Sequence, residues 1–164
     1  MVIHGYFLTH VSKVIIARTA ILALPVTPLN LDDTLNKFSW LLEGSSDENR
    51  TLSGGSGLSP SLLHCIKHAT YLAASLNRDS RSMVPRVAAE VLVEEVGNLR
   101  QCSELSNGPS SVEELLRECI LDNDGFVATR REMTELGGEA WKAAVQIYIQ
   151  CRVFRYEIWD QGRK

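Results

Sequence analysis

The sequence predicts an all-α fold, a multi-helix array of about five to seven helices joined by turns and one flexible Gly/Ser-rich loop. Three observations predict it. Apolar residues recur at three- and four-residue spacing through most of the chain, several of these runs begin with helix-start chemistry, and no region pairs two alternating runs across a hairpin turn. With 164 residues, 45% of them hydrophobic, the chain reads as a single helical domain spanning 1–164 and able to bury a core.

Taken in order, Phe7 to Leu24 carries Phe7, Leu8, Val11, Val14, Ile15, Ile21 and Leu22 at helical spacing, closed by Pro25 and Pro28. Asp32 to Leu42 predicts a shorter helix bearing Leu35, Phe38, Trp40, Leu41 and Leu42. Gly44 to Gly57 is rich in Gly, Ser and Asp and reads as a flexible surface loop at about 44–57. Ser59-Pro60 then marks a helix start, serine as N-cap and proline at the first helical position. Leu62, Leu63, Ile66, Ala69, Ala73 and Leu76 follow as one apolar face, and Asn77 to Ser82 ends the helix.

Pro85 starts the next helix, with Val84, Val87, Ala88, Val91, Leu92, Val96, Leu99 and Cys102 at 3-4 spacing and Glu90, Glu94 and Glu95 on the wet side. Asn107-Gly108-Pro109 is a turn. Ser111 and Glu114 form a capping-box signature ahead of Leu115, Leu116 and Cys119. Asp122 to Gly125 is a further turn, a short helix runs to Leu136, and Gly137-Gly138 leads into the closing helix.

That closing helix, Gly138 to Trp159, is wrapped in apolar side chains. At 100° per residue, Ala140, Ala144, Ile147, Cys151, Phe154 and Ile158 fall on one line, and Trp141 and Tyr148 flank it. Lys142, Gln146, Gln150, Val153 and Glu157 make a narrow, mostly polar strip. An ordinary surface helix turns about half its circumference to water, so this one needs neighbours on several sides.

The formal charge of −3 gives the whole chain no attraction for nucleic acid, so direct binding of DNA or RNA by this segment is not expected. Cys65, Cys102, Cys119 and Cys151 form no C-x-x-C pair and read as reduced core thiols rather than zinc ligands or disulfides. Tyr6 to Leu24 is apolar, yet Lys13 and Arg18 interrupt it, and the expectation is neither a signal peptide nor a membrane span. The Asn49-Arg50-Thr51 sequon has no meaning without secretion.

His64 and His68 stand one helical turn apart, but Cys65 replaces the glutamate of a metalloprotease pattern and no third ligand offers itself. The Asp122–Gly125 turn fails a calcium-loop register, which would put Ile120 and Arg131 at acidic positions. Ser53 to Gly57 lacks the Gly-Lys-Ser/Thr of a phosphate loop. Arg152 and Arg155 read as stems lying along apolar surface. The sequence therefore assigns no catalytic, cofactor-binding or metal-binding residue, and the chain is expected not to be an enzyme.

Three segments resemble a known family. Ala140 to Arg155, "AWKAAVQIYIQCRVFR", resembles the helix near the C-terminal end of the fungal-specific transcription factor domain, the regulatory region of zinc binuclear cluster regulators. Trp141, Ala144, Ile147, Tyr148, Ile149, Arg152 and Arg155 stand at the positions of that family's aromatic, alanine, aliphatic-tyrosine and arginine pattern. Gly57 to Ala73 resembles the helix after the family's variable Gly/Ser linker, and Tyr6 to Leu22 resembles an upstream helix. The six-cysteine zinc cluster is absent, the chain is shorter than the usual regulatory domain, and it continues after Arg155 as "YEIWDQGRK".

The resemblance implies a helical part of a larger regulatory domain in transcription regulation. It implies a nuclear location, otherwise a cytoplasmic one, and action by helix packing against a protein partner or a second copy. The alternative readings are a helical domain sensing a small-molecule effector and a stand-alone relic of such a regulator. Trp141, Ile147, Tyr148, Cys151 and Phe154 are expected to be the closing helix's structural anchors.

Overall fold

The computed structural model describes Lys13 and residues 15–24, 37–52, 57–105 and 111–154. Among these the fold is all-α: six helices, a 3-10 turn, a closing π-helical turn, and no strand beyond two isolated bridges. Several expectations lie outside the described residues: the first helix before Lys13, the segment from Pro25 to Asn36, Ser53–Ser56, the Asn107–Pro109 turn and everything beyond Phe154.

The centre of the molecule is not the closing helix but the one that begins at Ser59-Pro60. We number the helices in chain order: α1 over 15–23, α2 Ser46–Arg50, α3 Pro60–Arg78, α4 Val84–Asn98, α5 Val112–Glu118 and α6 Arg130–Ile149. The Ser59 side chain accepts from the Leu62 amide at 3.3 Å, which caps α3 as its sequence predicts. All six residues of its expected face, Leu62, Leu63, Ile66, Ala69, Ala73 and Leu76, are buried, with Cys65 and Leu72 beside them. Around α3 pack α2, α4, α6, the 3-10 turn and the π-helical turn.

Upstream, α1 buries Ala17 and Ile21, one turn apart, and leaves Ile15 in solvent, contrary to the expected face. The expected helix ending at Leu42 is instead a turn at Lys37-Phe38 followed by the 3-10 turn Ser39–Leu42, which buries Leu41 alone. Phe38 sits at φ 70, a left-handed conformation that an α-helix of L-residues does not contain. The Lys67 ammonium, buried in α3, donates to the Lys37 carbonyl at 3.3 Å and holds that turn.

The expected flexible loop at 44–57 contains a helix. Ser45 and Glu48 form a reciprocal capping box on α2: the Ser45 amide donates to Glu48 Oε2 at 2.8 Å, and the Glu48 amide to Ser45 Oγ at 3.3 Å. Asn49, the residue of the sequon, donates from its amide to the carbonyls of Leu42 and Gly44. Thr51 then bridges to Cys102, through Leu52 N–H to the Cys102 carbonyl at 2.8 Å.

At the C-terminal side, α5 carries the predicted capping box on Ser111 and Glu114, but of its expected face only Leu115 is buried. The Asp122–Gly125 turn forms as expected, closed by a Leu121–Val127 bridge, with Asp122 Oδ1 accepting from the Asp124 and Phe126 amides. Beyond it α6 begins at Arg130, capped by Thr129, and passes through Gly137-Gly138 without a break. A Cβ on Gly138 would come within 3.1 Å of the Leu52 side chain, so the small residue lets that segment lie close to the helix. Gly57 faces the same stretch at φ +69, where a Cβ would lie 2.8 Å from Trp141 and 3.1 Å from the Gly137 backbone.

The closing helix buries a different side from the one its apolar line suggests. Val145, Ile149 and Val153 enter the core with Glu135, Gly138 and Lys142, whereas Ala140, Ala144, Ile147 and Cys151 face solvent. Val145, Ile149 and Val153 stand four residues apart and share one helical face, which also carries Lys142. The turn Gln150–Phe154 that closes the helix is π-helical. The polar side chains on the buried side have partners supplied by a distant segment, described next.

Candidate interaction surface

Residues 99–103 leave α4 without helical structure and run along α6, where Glu135, Gly138 and Lys142 meet them. Gln101 bridges the two halves of the fold: its amide nitrogen donates to the Gly138 carbonyl at 2.9 Å, and its oxygen accepts from the Ser59 amide at 3.2 Å. Glu135, 3% exposed, accepts from the Ser103 amide at 3.2 Å and from its hydroxyl at 3.1 Å, with Arg131 Nε 3.4 Å away. The Lys142 ammonium pairs with Glu139 and reaches the Leu99 carbonyl at 3.4 Å. A buried carboxylate and ammonium are tolerable only with such partners. This seam is structural: it fixes the register of α6 against α3 and α4.

His64 and His68 do come together, their ring centroids 5.3 Å apart and edge to face. Burial, then the Lys67 ammonium, then His68 push His64 down to about 4. Burial and Lys67 also lower His68, against the pull of Glu95 from α4. Both imidazoles therefore stay neutral near pH 7. Among the described residues no group of three His, Cys, Asp or Glu side chains is arranged to hold a metal.

The cysteines depart from the expectation of core thiols. Only Cys65 is buried, and burial, reinforced by Glu95, pushes its thiol up to about 12. Cys102 lies past the end of α4 at the Thr51 bridge, Cys119 caps α5, and Cys151 is exposed. Tyr148 and Phe154 are partly buried against the core as expected, and the Tyr148 hydroxyl lies 3.0 Å from Thr70 Oγ1. Ile147 and Cys151, expected as anchors, are not.

What the surface offers instead is apolar helix. On α6 the exposed line is Ala140, Ala144 and Ile147, with Trp141 beside it; Ile147 is 64% exposed and Trp141 38%. On α4 the expected apolar face divides. Leu92 and Val96 go inward, joined by Ala89 from outside that face, while Val84, Val87, Ala88 and Val91 stay in solvent. Among the described residues no helix is long and apolar enough to cross a membrane. No family model, curated protein or solved structure matches the chain.

Proposed function

We propose that the chain is a non-catalytic helical interaction module of a transcription regulator, acting in the nucleus by packing its helices against a protein partner. The observation that carries this reading is the outward apolar line of α6. Of the positions on which the resemblance to the fungal regulatory domain rests, Ile149 and Tyr148 turn inward, whereas Trp141, Ala144, Ile147 and Arg152 are left in solvent. A stripe of that kind is costly in water and suits a helix that continues a larger helical assembly.

The test joins the chain to a heterologous DNA-binding domain and follows a reporter in a fungal host. A change in reporter output of about tenfold, the size of a 1.4 kcal/mol coupling, is expected, and Ile147→Glu, which alters an exposed side chain, abolishes it. Reporter output equal to that of the DNA-binding domain alone would remove the transcriptional reading.

A further inference from the structure

The outward face of α4 is the second unpartnered apolar stripe, and its charges say what covers it. Val84, Val87 and Val91 are 77%, 53% and 62% exposed, and Met83 and Ala88 lie beside them in solvent. β-Branched residues lose side-chain freedom in a helix, so three exposed valines favour neither the helix nor its solubility. The charges flanking the stripe are separated by sign. Arg78 ends the preceding helix, Arg81 lies in the turn before the stripe with Asp79 close by, and Glu94 and Glu95 stand at its C-terminal end, with Arg100 beyond.

This order runs against the helix's own dipole, which favours acidic groups at the start and basic groups at the end. The first turn of α4 has no acidic residue, the last has no basic one, and Met83 provides no side-chain cap. A solitary helix gains nothing from that arrangement. Two copies of it, laid antiparallel, gain from every part of it.

We propose that α4 is a homodimer face, on which a second copy of the chain packs antiparallel about a two-fold axis near Val87 and Ala88. Counting outward from that axis sets Val84 of one copy against Val91 of the other, and brings Arg81, in the turn before the helix, to the end of the partner that carries Glu94 and Glu95. The acidic end of each helix then meets the uncapped, positive end of its partner. A two-fold contact of this kind is self-complementary, as the mirrored order of charges requires. The stripe is small beside the roughly 800 Å² per partner of a stable interface, so the dimer is weak, on the order of micromolar. The inference deepens the interaction-module reading by naming one partner and its surface.

Sedimentation velocity of the whole chain across a concentration series tests it. A monomer–dimer equilibrium is expected, weakened about tenfold or more by Val87→Glu, by Arg81→Glu and by Glu94→Arg. The charge swap Arg81→Glu/Glu94→Arg restores it, because the two ends attract again with their signs exchanged. All three positions are exposed, and far-UV circular dichroism checks that each variant keeps its helices. A chain that stays monomeric to about 100 µM, far above the expected constant, overturns the proposal, as does a dimer indifferent to Val87→Glu. Either result leaves the reporter assay on α6 to decide the broader reading on its own.

Discussion

His64 shows how one side chain couples the central helix to pH. Its imidazole is half-buried on α3 against His68 and Lys67 of the same helix, and Glu95 of α4 acts on its neighbours His68 and Cys65. In the unfolded chain it takes up a proton near 6.5, in the folded chain only at about 4. The unfolded state therefore binds more protons between those values, and stability falls as the pH drops through that window. Above pH 6.5 the two states bind alike and the effect vanishes. Thermal unfolding followed from pH 7 to pH 4 should show the midpoint of the parent falling more steeply than that of His64→Asn. Parallel curves would mean that the folded protein accommodates the charged imidazole.

At the scale of elements, the closing helix separates two readings of the same residues. Ile149 is fully buried and Ile147, two positions away, is exposed. Ile149→Ala should cost about 2–5 kcal/mol, the loss of a packed side chain with a cavity left behind. Ile147→Ala should change stability by less than about 0.5 kcal/mol. Chemical denaturation of the two variants measures both, and equal losses would restore the face drawn from the apolar line. The contrast also explains what was legible in the sequence. The α3 face was, because Ser59-Pro60 sets its start and its buried residues are nearly all apolar. The α6 face was not, because Glu135 and Lys142 are buried by partners at Ser103 and Leu99, which no local pattern links to them. The same holds for α2: Ser45 and Glu48 carry the capping signature, but the glycines and serines around them mask it. For the surface, the sequence showed more apolar helix than one core needs, on both α4 and α6, without showing which side of each would remain in water.

For the whole molecule, the packing around α3 sets a gradient of stability. Helix α3 buries side chains on most of its length, and α2, α4, α6, the 3-10 turn and the π-helical turn all rest on it. Helix α5 is only seven residues long, buries Leu115 alone, and packs chiefly against α6. Its capping box satisfies the N-terminal amides but adds no apolar area, and the Asp122–Gly125 turn after it leaves Ile120, Leu121 and Phe126 in solvent. Local opening draws on such poorly packed units, while a central helix exchanges its amides only when the whole fold opens. Hydrogen exchange should therefore find the amides of Leu63 to Leu76 slower than those of Leu115 to Glu118 by about two orders of magnitude or more. The seam makes a sharper demand. Gln101 joins the Ser59 amide to the Gly138 carbonyl, so the first turn of α3 and the middle of α6 should open together. Gln101→Ala should then raise exchange in both places and leave α5 as it was. If only one of them responded, α3 and α6 would be packed side by side without being coupled through Gln101.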